Sequence, residues 1–182
     1  TYINKIKVDK VYNLFNEINW DNITSSEQTL MHGDLHFENI LISNQGNVFA
    51  LDIRDDFDEI NNFGDMYYDL AKILHGILVS HQSINDNQYK YETNSKNIQI
   101  SIKKGKKYSS NINNFYKFCK FYKFDIKKIE LICSLIYLNI ADLHHFPYSH
   151  LLFNLGKLLL MKSVKKEQNI KTFISDIKLL TI

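Results

Sequence analysis

Between Asn39 and Asp52 the chain has little choice except to turn back on itself. Asn39-Ile-Leu-Ile-Ser43 and Val48-Phe-Ala-Leu-Asp52 are short apolar runs on either side of Asn44-Gln45-Gly46-Asn47. Runs of this length around a Gly- and Asn-bearing turn predict a β-hairpin. Closing the hairpin brings its ends together, so the amide of Asn39 and the carboxylate of Asp52 meet. Both are hard oxygen donors of the kind that suits Mg²⁺. Just upstream, Asp34 sits within His32-Gly-Asp-Leu-His-Phe-Glu-Asn39. Alone, His-Gly-Asp fits an ordinary turn, with glycine supplying an unusual backbone angle and aspartate capping a helix. In register with Asn39 and Asp52, it adds a second carboxylate beside a candidate metal site.

Such a set suits phosphoryl transfer, which needs in-line geometry, metal ions on the phosphate oxygens and a group to receive the acceptor's proton. The order of residues resembles the kinase catalytic loop H-R-D-L-x-x-x-N and its downstream metal-binding aspartate, with Gly33 replacing the arginine. His-Gly-Asp in that slot is the form found in the aminoglycoside phosphotransferase and choline kinase family, which phosphorylates small molecules. A second block, Gly64-Asp65-Met-Tyr-Tyr-Asp69-Leu-Ala-Lys72, resembles the GD-x-x-YDLAK segment of the same superfamily, particularly of bacterial phosphotransferases linked to capsule and surface-polysaccharide synthesis. Asp52-Ile53-Arg54 is similar to the Asp-x-Arg that often follows the second strand in those relatives. The two blocks span residues 30 to 76.

The resemblance implies a role for each residue. Asp34 is the catalytic residue, orienting and deprotonating a substrate hydroxyl, while Asn39 and Asp52 hold Mg²⁺ on bound ATP. Asp69 lies on a helix under the loop and accepts backbone hydrogen bonds that keep it in shape. His32 is expected to support the loop from beneath. His36 either contacts a phosphate or takes no part. Arg54 pairs with a phosphate or with a neighbouring carboxylate, the internal pair being favoured. Asp55-Asp56-Phe57-Asp58-Glu59 replaces the family's Gly-containing continuation, so substrate contacts there do not carry over. That acidic run reads as a solvated loop rather than a lure for a cationic substrate.

A chain of 182 residues with 45% hydrophobic content makes one domain with a real core, or one lobe of a larger one. The expected fold class is α+β, mainly helical: the C-terminal lobe of a protein-kinase-like fold carrying a catalytic-loop hairpin, over residues 1–182. Apolar spacing predicts helices over 4–17, 65–80, 111–123, 126–145, 148–164 and 169–180. Asp125 is placed to cap the fourth, and Pro147 suits the first turn of the fifth. Alternation over 88–92 and 98–102 predicts a second hairpin. The aromatic stretch from Phe115 to Phe124 reads as core and helix-packing surface. Tyr137, His144, His145 and His150 fall where relatives place acceptor-site residues, but no motif aligns them. They also lack a zinc-binding pattern.

Net charge is +2, which gives no electrostatic case for nucleic acid, and Lys103-Lys104-Gly105-Lys106-Lys107 reads as a surface turn. Cys119 and Cys133 read as reduced, buried thiols. No run is long or uniform enough to span a membrane and no signal peptide is visible, so the expected compartment is the cytoplasm, without a membrane partner. The 31 residues before His32 contain no glycine. They hold no strands with a Gly-rich loop and lysine, so the nucleotide-binding N-terminal lobe is expected to lie elsewhere, in a longer chain or a fused domain. Two functions follow. One is an ATP- and Mg²⁺-dependent kinase acting on a hydroxyl of a sugar, amino alcohol or surface-polysaccharide precursor. The other is a non-catalytic kinase-like module that binds a partner protein.

Overall fold

The computed structural model describes residues 1–24, 28–54 and 63–165. The chain runs through β1 (Tyr2–Ile3), β2 (Ile6–Lys7), α1 (Val11–Asn16), α2 (Trp20–Thr24), β3 (Thr29–Leu30), a 3-10 turn at Phe37–Asn39, β4 (Ile40–Ile42) and β5 (Val48–Ala50). It continues through β6 (Phe63–Gly64), α3 (Met66–Leu78), α4 (His81–Asn85), β7 (Tyr89–Asn94), β8 (Asn97–Ile102), α5 (Tyr108–Phe121), α6 (Ile126–Ile140), a 3-10 turn at Ala141–Leu143 and α7 (Tyr148–Val164). The class is α+β and mainly helical, as expected.

The core is helical. Asp65 caps α3, accepting the N–H of Tyr67 at 2.9 Å, and Leu70, Ala71, Leu74, Ile77 and Leu78 are buried along one face. Asp125 caps α6 as predicted, accepting from Lys127 N and Lys128 N. That helix packs between α3 and α7. Its approach to α7 is close enough that a Cβ on Gly156 would lie 2.9 Å from the backbone nitrogen of Leu138. Tyr137 is fully buried there, its hydroxyl donating to the carbonyl of His75 at 2.8 Å, so it packs the interior and offers nothing to an acceptor. Burial drives the neighbouring His75 down to about 3, which keeps that ring neutral.

Residues 4 to 17 depart from the predicted helix. Asn4 and Lys5 have φ of 47° and 68°, the left-handed pair that a two-residue hairpin turn requires, and Ile3 faces Ile6 across it. The helix is limited to Val11–Asn16. β1 also runs parallel to β8, giving a four-stranded sheet in the order β2-β1-β8-β7. The side chain of Asn4 seals that junction, donating to Ile100 O at 2.9 Å and accepting from Ile100 N at 2.8 Å. The second predicted hairpin is present as β7 and β8.

The helix predicted over 111–123 begins three residues earlier, at Tyr108. The one predicted over 126–145 ends at Ile140, and Pro147 stands just before α7. Both cysteines are buried and free. The aromatic stretch does not act as one body: Phe115 and Tyr116 are buried, whereas Phe118, Phe121 and Tyr122 are exposed. The helix predicted over 169–180 and the acidic run at 55–59 lie outside the described residues. No helix among the described residues is long and apolar enough to cross a membrane.

Candidate active site

One face of α3 builds the site. β3 pairs antiparallel with β6, Thr29 opposite Gly64 and Leu30 opposite Phe63, so the loop that follows β3 starts beside the helix that follows β6. Asp69, Lys72 and Gly76 share a face of that helix at spacings of three and four. Each meets the loop in turn. The Asp69 carboxylate accepts His32 N at 2.6 Å and Gly33 N at 3.0 Å. Lys72 Nζ lies 2.7 Å from Asp34 Oδ1. Gly76 has no side chain where Phe37 packs; a Cβ there would come within 3.0 Å of Phe37 Cδ2. Gly33 has φ of 77°, a conformation glycine adopts readily, and this turn presents both N–H groups to one carboxylate.

The loop also holds itself. Asp34 N donates to His32 Nδ1 at 3.3 Å, and the buried His32 Nε2 has no hydrogen-bond partner among the described residues. Asn39 Nδ2 donates to Asp34 O at 3.0 Å, which commits the nitrogen of that amide to the loop. The predicted hairpin is present as β4 and β5, with Ile40 opposite Ala50 and Ile42 opposite Val48. Leu51 N donates to Asn39 O at 2.8 Å, so Asp52 emerges beside Asn39. Asp52 has φ of 56° and is exposed; among the described residues its carboxylate has no hydrogen-bonded or ionic partner. Arg54 N then donates to His32 O at 2.9 Å, closing the strand back onto the loop.

Asp34 therefore sits among basic groups. Besides Lys72, Arg54 Nη2 is 3.6 Å and His36 Nε2 3.7 Å from its Oδ2. His36 also holds Glu38 at 2.8 Å through Nδ1. Burial pushes the Asp34 carboxyl up, but the Lys72 hydrogen bond and charge, with His36 and Arg54 adding to them, outweigh it and hold the group below the usual carboxylate value. Asp34 is thus ionised at neutral pH, with 18% of its side chain still open to solvent.

Lys72 was not assigned a role from the sequence, although it closes the quoted GD-x-x-YDLAK block. Its signal was available: it lies three residues after Asp69 on a helix that the loop must cross. Substituting Lys72→Met is expected to let burial dominate, so that the Asp34 pKa rises and any Asp34-dependent activity loses its acid limb at higher pH. Removing Lys72 from this part-buried pair, with Arg54 and His36 still beside the carboxylate, costs about 1–2 kcal/mol at neutral pH. In the wild type, the contribution of a depressed carboxyl is present above the unfolded value of about 3.9 and fades as pH falls through the folded one. Denaturant titrations of both proteins at neutral and acid pH measure this; equal stability at neutral pH would dismiss the pair.

Metal binding at Asn39 and Asp52 fits the donor chemistry. Mg²⁺ commonly takes one or two protein oxygens, with water and phosphate completing its shell. Among the described residues no cluster of three or more His, Cys, Asp or Glu could hold a metal ion. An apolar cavity of 380 Å³ flanks the loop, walled by Phe37, Leu70, Ile73, Ile77, Phe115 and Phe118, with Asn111 and Asn114 at its polar edge. A smaller cavity shares Phe37 and Ile77 and is bordered by Lys103, Lys104 and Lys107. The run 103–107 is the surface turn expected from the sequence, with Lys103, Lys106 and Lys107 exposed, while Lys104 folds back and its amine donates to Leu78 O at 2.5 Å at the end of α3. His144, His145 and His150 line neither cavity. No family model, no curated protein and no solved structure matches this chain.

Proposed function

We propose that the protein is a phosphotransferase that moves the γ-phosphate of Mg·ATP to a hydroxyl of a small molecule. The observation that carries this reading is the ionised, partly open carboxylate of Asp34, held on a braced loop whose far end supplies Asn39 and Asp52. In the reaction an acceptor hydroxyl donates to Asp34 and gives up its proton there as its oxygen bonds to the γ-phosphorus. The bond from that phosphorus to the β–γ bridging oxygen breaks and ADP leaves. Lys72 and Arg54 keep Asp34 charged and place positive charge where phosphate oxygens would approach. His36 adds to that charge when protonated. Asn39 Oδ1 and the Asp52 carboxylate would hold Mg²⁺, which when bound neutralises charge on the phosphate oxygens. The cavity beside Phe37 suits the body of the acceptor, a sugar, an amino alcohol or a surface-polysaccharide precursor, in the cytoplasm.

A second reading, a kinase-like module that binds a partner protein, has one observation in its favour. Ile40 is half-buried, and the other residues of β4 and β5, namely Leu41, Ile42, Val48, Phe49 and Ala50, are all exposed. Leu30 of β3, opposite Phe63, is likewise 73% exposed. A two-stranded hairpin is marginal by itself, and apolar residues on both its faces call for a covering surface. A nucleotide-binding lobe packed there would serve the first reading equally well.

Calorimetric titration with Mg·ATP separates the readings. Binding is expected to need Mg²⁺ and to weaken at least tenfold on Asp52→Ala, which removes the charged ligand. Binding that ignores both the metal and Asp52 would count against the phosphotransferase site.

A further inference from the structure

Charge is unevenly distributed along this chain. From Lys103 to Phe124 there are seven lysines, seven aromatic residues and no acidic residue. Since the whole chain carries +2, the remainder carries −5. Most of the segment is α5, which turns Ile112, Phe115, Tyr116 and Cys119 to the core. The other apolar residues at its C-terminal end face solvent. Phe118 is 45%, Phe121 77% and Tyr122 58% exposed. They stand at helical spacings of three and four and form one cluster, with Tyr122 4.8 Å from Phe118 and 4.9 Å from Phe121, centroid to centroid. Lys117, Lys120 and Lys123 are exposed around them. The nearest carboxylate in sequence, Asp125, is already engaged by the N–H groups that open α6.

Isolated exposed apolar residues need no explanation, and a run of lysines is usually just a solvated face. A contiguous aromatic wedge ringed by lysines is a different surface. It combines apolar area that gains by leaving water with cations that gain by approaching phosphates. We infer that the C-terminal end of α5 and the turn after it form a peripheral docking site for an anionic lipid bilayer. Phe118, Phe121 and Tyr122 enter the boundary between headgroups and acyl chains, and Lys117, Lys120 and Lys123 lie against lipid phosphates. No spanning helix is required for this, so the expectation of no membrane partner, which rested on the absence of a long apolar run, does not bear on it.

Nucleic acid fits the surface less well. The aromatic rings pack against one another, at interplanar angles of 54° and 83°, rather than presenting separate faces for bases to stack on. The cations are all lysine, and the chain's one arginine is Arg54, beside Asp34. Phe121, the most exposed of the three, has no polar tip to satisfy in a groove. Docking of this kind is independent of the chemistry at Asp34. It would, however, set the apolar cavity next to the bilayer, because Phe118 belongs to both.

Co-sedimentation of the full chain with vesicles tests the site. Vesicles of phosphatidylcholine mixed with phosphatidylglycerol are expected to bind the protein, and vesicles of phosphatidylcholine alone to leave it in solution. Lysines near an anionic surface contribute roughly 1 kcal/mol each, so Lys120→Gln should lower partitioning about fivefold. The triple change of Lys117, Lys120 and Lys123 to Gln, and Phe121→Ser separately, should each reduce binding to the level of neutral vesicles. These residues are exposed, and unchanged circular dichroism spectra would establish that the variants fold. Absence of binding to anionic vesicles overturns the inference, as does equal binding by the variants. Capture of a single-stranded RNA oligonucleotide without vesicle binding would overturn it in favour of nucleic acid.

Discussion

Replacing Asp34 with asparagine is expected to lower phosphotransfer by about 10²- to 10⁴-fold while Mg·ATP binding survives. Asparagine keeps the shape of the side chain, and its amide oxygen still accepts from Lys72. It cannot take a proton from a hydroxyl, and positioned proton acceptors contribute about 10² to 10⁴ in rate. Loss of the charge also leaves Lys72, Arg54 and His36 facing one another without the carboxylate they surround. A drop in stability of about 1–2 kcal/mol is therefore expected alongside the lost activity. Thermal melts would show that the variant folds. Turnover of a hydroxyl acceptor by Asp34→Asn at the wild-type rate would sink the assignment of Asp34.

The largest loss of stability is expected from Asp69→Ala. Asp69 is 8% exposed and receives two backbone N–H groups of the same loop, from His32 and Gly33. Alanine leaves both donors buried without an acceptor, at about 1–3 kcal/mol each, so the cost is about 4 kcal/mol. That is a large share of the 5–15 kcal/mol by which domains are commonly stable. Asp69→Asn retains one acceptor oxygen and should lose about half as much. Urea unfolding of the three proteins measures the series. A loss of less than about 1 kcal/mol for the alanine variant would mean that the loop is braced by other contacts.

Much of this arrangement is legible in the residues. The hairpin from Asn39 to Asp52, the hairpin of β7 and β8, and helices α3, α6 and α7 all follow from patterns that neighbours in the chain establish for themselves. An Asx cap needs only the N–H groups two or three residues on, and a turn needs only its own backbone angles. The first strands were not legible, because two-residue strands are too short to show a period, and Ile6, Val8, Val11 and Leu14 mimic a helical stripe. β1 exists as a strand because β8, which is remote in sequence, supplies its parallel partner.

The same division runs through the site. Sequence by itself determined which residue types are available and which elements carry them: Asp34 and Asn39 on a loop, Asp52 at the end of a strand, Asp69 on a helix. Tertiary structure decided which charges meet. Pairing of β3 with β6 lays the loop across α3, and only that crossing gives Lys72 to Asp34 and the backbone of His32 and Gly33 to Asp69. It likewise decided that Phe115 is core while Phe118, Phe121 and Tyr122 are surface. Near-neighbour preferences are written locally, whereas burial and long-range charge pairing depend on which distant face arrives, and no local pattern records that.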